Sequence, residues 1–302
     1  MINKVLFMGS KSLGYSILKQ LYSINPNSLD RIITIDDTQD TRSYYKQYHQ
    51  FAEEHQIPIK VLKKPSELFS VIQKTQPELV MVSGWYWIIP KKALNIVPKG
   101  FIGIHSSLLP QYRGGAPLVW AIINGNKKTG VSLFYFDEGI DTGDIIDQRE
   151  FIIEQDSNIS SLLNKMEKES IDMVNSNYEK ILNETNNRKP QSQSSPSYCA
   201  IRKPEDGLID WSLSNIDIHN FIRAQSDPYP GAFTFIKDKK YYLIKSKIIK
   251  ESYYGSKGII AKLNSDSIIV CCGENALEIT NIRDEYSNKN IISKMKFGDK
   301  FK

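Results

Sequence analysis

His105 closes an apolar run, Phe101 to His105 (FIGIH), and Asp141 lies in a later acid- and glycine-rich string, Asp137 to Asp144 (DEGIDTGD). Imidazole and carboxylate are the side chains best suited to carrying protons near neutral pH, so two strand ends bringing them together would form a general acid/base pair. Spacing alone leaves the plainer alternatives open, a strand-end histidine satisfied by its own surroundings and loop aspartates closing Asx turns. Between the two lie a Ser106-Ser107-Leu108-Leu109-Pro110 turn and an Arg113-Gly114-Gly115 string, whose guanidinium is the best candidate for an anionic contact. Gly9 to Ser16 (GSKSLGYS) has the outline of a phosphate loop, but Tyr15 stands where the phosphate-binding lysine is required, and the dinucleotide glycine pattern is missing. A tight turn feeding a helix, with free amides near Ser10, is the reading that remains. Four histidines and three cysteines (Cys199, Cys271, Cys272) show no metal-ligand spacing, so no metal is expected.

These side chains need a scaffold, and the hydrophobic pattern supplies one. Lys4 to Gly9 (KVLFMG) reads as a buried strand, followed by a helix capped at Ser12 with Leu13, Ile17, Leu18 and Leu21 on one face. Strands at 31–35, 58–62, 79–84 and 101–105 alternate with helices at 44–55 and 66–74, which implies an α/β, Rossmann-like, mostly parallel sheet with helices on both faces. In such sheets ligands sit beyond the carboxyl ends of strands, so Gly9-Ser10, Gly84 to Trp87 and the turn after His105 should share one cleft. A helix over 158–184 precedes a polar, proline-containing stretch without periodicity (ETNNRKPQSQSSPS). Short alternating strands from 232 to 282 then predict a smaller C-terminal antiparallel β domain of OB-like barrel type. The expected organisation is a catalytic domain over 1–184, a linker over 185–203 and the β domain over 204–302.

The 302 residues carry a formal charge of +5, 40% hydrophobic residues and no long apolar run. They describe a globular chain with neither a membrane span nor a signal segment, expected in the cytoplasm. The lysine pairs 63–64, 91–92, 127–128 and 239–240 are scattered, as solvated helix and loop ends are.

The strings His-x-Ser-Leu-Leu-Pro-x-x-Arg-Gly and Asp-Thr-Gly-Asp together closely resemble the folate-dependent formyltransferase family, which includes methionyl-tRNA formyltransferases and sugar N-formyltransferases. The separation of His105 and Asp141, 36 positions, is similar to that of the family's catalytic pair. Ser83 to Pro90 (SGWYWIIP), Arg202 to Trp211 (RKPEDGLIDW) and Asp227 to Thr234 (DPYPGAFT) extend the likeness over nearly the whole chain. The resemblance implies transfer of a formyl group from 10-formyltetrahydrofolate to a primary amine, with His105 and Asp141 catalytic and no metal. It places Gly84, Trp85, Tyr86, Trp87 and Ile88, with Asp137, Gly139 and Ile140, on the folate side, Asp137 and Asp144 being turn or substrate-side acids rather than Asp141's equivalents. It places Ser10, Ser106, Ser107, Leu108, Leu109, Pro110, Arg113 and Gly114 on the acceptor side.

One position departs from the pattern. The family has an asparagine two residues before the histidine, and this chain has Gly103. An amide donor at a developing oxyanion is worth about 2.7–4 kcal/mol. A water or backbone N–H in its place, a side chain such as Tyr86 or Asn124, and loss of activity are the three explanations open to the sequence. The acceptor is expected to be a nucleotide-linked amino sugar: Ile35 to Arg42 (IDDTQDTR), where an RNA-binding insertion would be basic, carries three aspartates. Methionyl-tRNA is the alternative acceptor, and a formyl-folate hydrolase or inactive folate-binding homologue the second alternative. Apolar strands in the β domain leave a homodimer open. Trp211 is expected in the core between domains.

Overall fold

Val5–Gly9 (β1) is apolar and buried at all positions, and its alternation sets Leu6 and Met8 on one side of a sheet and Phe7 on the other. The computed structural model describes residues 1–302. It divides into two compact units, the first comprising Met1–Gly114, Gly130–Phe151 and Asn164–Tyr198, the second Gly115–Thr129, Ile152–Leu163 and Cys199–Lys302.

In the first unit, α1 (Lys11–Ile24), β2 (Leu29–Ile35), α2 (Tyr45–Glu54), β3 (Ile59–Leu62), α3 (Glu67–Thr75), β4 (Leu79–Ser83), α4 (Lys91–Leu94) and β5 (Phe101–His105) follow β1 in the expected alternation. Two further strands, β7 (Lys128–Tyr135) and β8 (Ile145–Ile152), complete a seven-stranded sheet of order β3-β2-β1-β4-β5-β7-β8. β1 through β5 pair in parallel, whereas β7 runs antiparallel to β5, with His105 opposite Ser132. Leu6, Met8, Val80 and Val82 pack with Leu68, Ile72 and Ala93 of α3 and α4 on one face. On the other face Phe7 lies 6.4 Å from Tyr48 of α2, centroid to centroid. Each such fully buried side chain contributes about 1.5–3 kcal/mol.

The helix-capping expectation is corrected at α1. Ser10, not Ser12, occupies the N-cap position, and its hydroxyl donates to the Gly84 carbonyl rather than to the helix. Lys11 takes a left-handed backbone (φ 60°), which places Ser12 already inside the helix. Gly84 itself has φ 65°, and a Cβ there would stand 2.1 Å from the Ser10 carbonyl oxygen, so this close crossing of two strand ends requires glycine.

The long helix α6 (Ile159–Leu182) follows β8. The segment after it is firmly held: Gln191 is buried, and Ser197, just before the short strand β9 (Tyr198–Cys199), accepts the Arg113 N–H from β6 (Arg113–Gly114) at 2.9 Å. The second unit contains α5 (Pro117–Ile123), α7 (Asn215–Ala224) and five antiparallel strands, β10 (Ala232–Ile236), β11 (Lys239–Ile248), β12 (Ile260–Leu263), β13 (Ile268–Cys271) and β14 (Ala276–Asp284), in the order β10-β11-β14-β13-β12. The final residues bridge its two edges. Lys302 and Phe235 of β10 exchange backbone hydrogen bonds, while the Phe301 N–H donates to Gly258 at 2.9 Å, just before β12. Trp211 stacks on Phe301 at 5.4 Å and donates to Thr234, placing it in the core of this unit. No helix is long and apolar enough to cross a membrane.

Candidate active site

β5 delivers His105 to the carboxyl edge of the sheet with only 8% of its surface exposed. The ring has two neighbours: Nδ1 lies 3.4 Å from Asp141 Oδ2, and Nε2 lies 2.8 Å from the Tyr112 carbonyl oxygen. Both nitrogens face oxygen acceptors; a neutral ring has one N–H to share between them, and a ring that has gained a second proton donates at both, once toward a carboxylate. Phe134 closes one side edge-on at 6.3 Å.

Asp141 is held as firmly. It adopts φ 52°, its Oδ2 accepts the Gly114 N–H at 2.8 Å, and its backbone carbonyl accepts from Gln191 Nε2 at 2.8 Å. Gln191 also donates to Gly143 at 2.7 Å, while its Oε1 accepts from Arg113 Nε at 3.1 Å and Nη2 at 2.7 Å. This explains Arg113, for which the sequence suggested an anionic contact. It is 1% exposed, its remaining amine donates to the Tyr198 hydroxyl at 2.9 Å, and its guanidinium serves through Gln191 to fix the Asp141 turn. Gln191 escaped the sequence reading because it sits in a polar stretch beside Gln193 with nothing local to distinguish the two. Replacing Gln191 by Ala leaves donors of a buried guanidinium unpaired, and is expected to cost about 1.5–3 kcal/mol of stability by denaturant unfolding. Catalytic rate is expected to fall with it, because the Asp141 carbonyl loses its tether.

The Ser106-to-Pro110 turn is a brace. Ser132 donates to the Ser107 carbonyl at 2.7 Å and accepts the Leu109 N–H at 3.1 Å, and Gln148 Nε2 reaches both Ser132 at 2.8 Å and the Leu109 carbonyl at 3.0 Å. Ser107, Leu109 and Ser10 are buried, so their side chains build the site's wall; Ser106, Leu108, Pro110 and Gly114 are half-buried.

On the other side stand two neighbouring loops, joined by Lys91 Nζ and Glu138 Oε2 at 2.6 Å. In one, the Trp85 and Trp87 rings meet edge to face at 5.4 Å and pack on the core, leaving Tyr86 and Ile88 exposed. In the other, Asp137 accepts the Gly139 N–H at 3.0 Å and the Thr142 hydroxyl at 2.5 Å, an Asx turn that presents Ile140 to solvent. Asp144 pairs with Arg188 at 2.8 Å. Trp85 Nε1 is buried without a hydrogen-bond partner. An orphaned indole donor in a loop that also exposes Tyr86 and Ile88 suits a hydrogen-bonding heterocycle such as a pterin. Among the residues that could hold a metal, no group of three or more histidine, cysteine or acidic side chains comes together.

The space beside Gly103 is filled. A Cβ built on Gly103 would stand 2.4 Å from Phe136 Cε2 and 3.0 Å from the Val82 carbonyl. Phe136, whose ring lies 4.9 Å from that of Phe134, therefore takes up the volume of any side chain at this position.

The acidic loop after β2 also reads differently once folded. Lys11 Nζ lies 2.6 Å from Asp37 and 2.9 Å from Asp40, Arg42 pairs with Asp40 at 2.8 Å, and Thr38 donates to Asp36 at 2.7 Å. Two cations balance two of the three carboxylates, so the loop is less repulsive to a polyanion than its composition suggested. Arg42, helped by Lys11, holds the Asp40 carboxyl well below the usual carboxylate range. A carboxyl depressed by folding adds stability above its unfolded pKa, about 3.9, and loses that contribution as pH falls through the folded value. Asp40→Asn is accordingly expected to lower Tm at pH 7, with the gap from the natural protein closing as the pH is taken below about 4.

Residues 4–176 match the family model described as Formyl transferase, and residues 202–297 the model described as Formyl transferase, C-terminal domain. The methionyl-tRNA formyltransferase of Caldanaerobacter subterraneus subsp. tengcongensis is 32% identical over 98% of this chain and 96% of its own. The bifunctional polymyxin resistance protein ArnA of Wigglesworthia glossinidia brevipalpis is 34% identical over 96% of this chain, which spans only 44% of that longer protein. Among solved structures, an N-formyltransferase from Helicobacter canadensis, in complex with folinic acid and dTDP-3-aminofucose, superposes with a TM-score of 0.70 at 21% identity, covering 94% of this chain and 100% of that one. A mostly parallel sheet with helices, followed by a smaller antiparallel β domain, is the formyltransferase fold. The chain belongs to the formyltransferase family, whose members are folate-dependent N-formyltransferases.

Proposed function

We propose that this enzyme moves the formyl group of 10-formyltetrahydrofolate onto the primary amine of a nucleotide-linked amino sugar. The observation that carries the transfer chemistry is the His105–Asp141 pair at 3.4 Å, in a wall braced by Ser132, Gln148 and Gln191. The sugar acceptor is supported by the fold shared over 94% of this chain with the N-formyltransferase held with dTDP-3-aminofucose. Bound between the two loops, the folate would supply an activated formyl carbon. Trp85 Nε1 would donate to it, with Ile88 and Ile140 covering its apolar faces. The acceptor amine must lose a proton as its nitrogen bonds to the formyl carbon, and the folate nitrogen must gain one as it leaves. His105 would carry this proton on Nε2 once that nitrogen turns from the Tyr112 carbonyl to the substrates, and Asp141 is the carboxylate that steadies the charged ring meanwhile. With Phe136 filling the space at Gly103, the charged His105 is also the polar side chain at this strand end suited to a developing oxyanion.

A second reading, formylation of methionyl-tRNA, is favoured by the 32% identity over 98% of the chain to an enzyme of that name and by the internal pairing of the loop carboxylates. The acceptor is settled by offering the purified full chain 10-formyltetrahydrofolate with a dTDP-linked amino sugar or with methionyl-tRNA and following the product by mass spectrometry. Formylated nucleotide sugar is the expected result. Formylated tRNA alone gives the second reading, and cofactor turnover equal with and without any amine would make the protein a hydrolase.

A further inference from the structure

The second unit contains a cleft of about 780 Å³, within the range of small-molecule sites, between α7, the middle of β11 and β14, and the turn before α6. Nothing in the formyl-transfer chemistry uses it. Its wall is irregular where it matters. The β11–β14 ladder slips on both sides of Lys245, which pairs with Asn281, and both residues line the cleft with Lys247. Bulges of this kind recur beside functional sites because they re-aim side chains. Asn281 keeps one end of its amide, Oδ1, buried and without a hydrogen-bond partner.

The opposite wall is fixed. Arg223 donates to the Ser157 carbonyl at 2.6 Å and to Asn220 at 3.0 Å, holding the turn before α6, and His219 Nδ1 meets Ser246 Oγ at 2.9 Å. Burial, and then the charge of Arg223, push the His219 pKa down. Arg223, Lys245 and Lys247 face two carboxylates, Asp156 and Asp227, and Asp227 is already engaged by Arg283 at 3.2 Å. The cleft is therefore net positive, and its lining includes His219 and Asn281, whose amide oxygen has no partner.

We propose that this cleft binds a small phosphorylated, hydroxyl-bearing molecule, the phosphates lying on Lys245 and Lys247 and a hydroxyl group donating to the unpartnered amide oxygen of Asn281. Lysines that stay solvated and mobile suit a phosphate as point charges. A buried unpaired amide suits a ligand that brings its own hydrogen-bonding group.

Only four histidines are present, so the His219 ring is a local reporter by NMR of the full chain labelled at histidine. Uridine diphosphate is expected to shift its resonances saturably. Lys245→Gln with Lys247→Gln, at exposed positions that do not threaten folding, is expected to weaken the apparent affinity about tenfold or more. Asn281→Ala is expected to erase the preference for uridine diphosphate over inorganic pyrophosphate. A His219 signal that stays still at saturating uridine diphosphate, one that shifts equally in the lysine variant, or one that answers only to a single-stranded RNA would each overturn the proposal.

Discussion

Replacing His105 by alanine is expected to lower kcat/KM for formyl transfer by about 10²- to 10⁴-fold, the usual worth of a positioned general acid/base. Asp141→Asn should fall in the same range, since it keeps the Gly114 contact's shape but removes the carboxylate 3.4 Å from Nδ1. If the two act as a unit, the double variant will be no slower than the worse single one, because once the proton carrier is gone its partner has nothing left to steady. Steady-state kinetics on all three proteins, with thermal unfolding as a folding control, decides the matter. Near-normal kcat/KM in a folded His105→Ala protein would take the imidazole out of the chemistry and leave the pair as a structural contact. Additive losses would instead separate the two residues' roles.

The parts of this site that could be read from sequence are those set by local pattern. The strand ending at His105, the strand running to Gly84 and the helix packed on Leu6 and Met8 through Leu68 and Ile72 all follow from apolar periodicity over a few residues. What escaped was decided by pairing across distance. That β7 inverts the sheet, setting Ser132 against His105, depends on hydrogen bonds between strands and leaves no periodic trace, since a buried strand is apolar whichever way it runs. Arg113 looked like an anion contact because arginine beside glycines so often is one. Its actual partner, Gln191, lies in a stretch whose composition reads as tether, and only folding shows that the stretch is tied to the Asp141 turn. That Lys11 offsets part of the charge of the loop after β2 escaped for the same reason, since it comes from another element. The closure of the β domain by residues 301 and 302 is likewise a long-range event.

Gly103 turns that limitation into the second large expected effect. By resemblance the position belongs to an asparagine, and what the sequence left open, the structure narrows: Phe136 occupies the volume, 2.4 Å from where a Cβ would be. The two residues therefore form one steric unit, and neither can be changed alone to restore an amide donor. Gly103→Asn by itself overpacks this contact and is expected to cost about 1–3 kcal/mol of stability without improving the rate. Phe136→Ala by itself opens space but adds no donor. Together they make room for an amide that, aimed at a developing oxyanion, is worth about 2.7–4 kcal/mol. The double variant is accordingly expected to exceed Phe136→Ala in kcat by about two orders of magnitude, with little change in KM, since the donor acts on the transition state more than on the bound substrates. Equal kcat in Phe136→Ala and the double variant would show that an amide at this position does not reach the reacting carbon, and the burden of oxyanion stabilisation would then rest on His105. An increase confined to the double variant would show that the natural chain retains the proton-transfer pair while its aromatic filling at Gly103 restrains the rate.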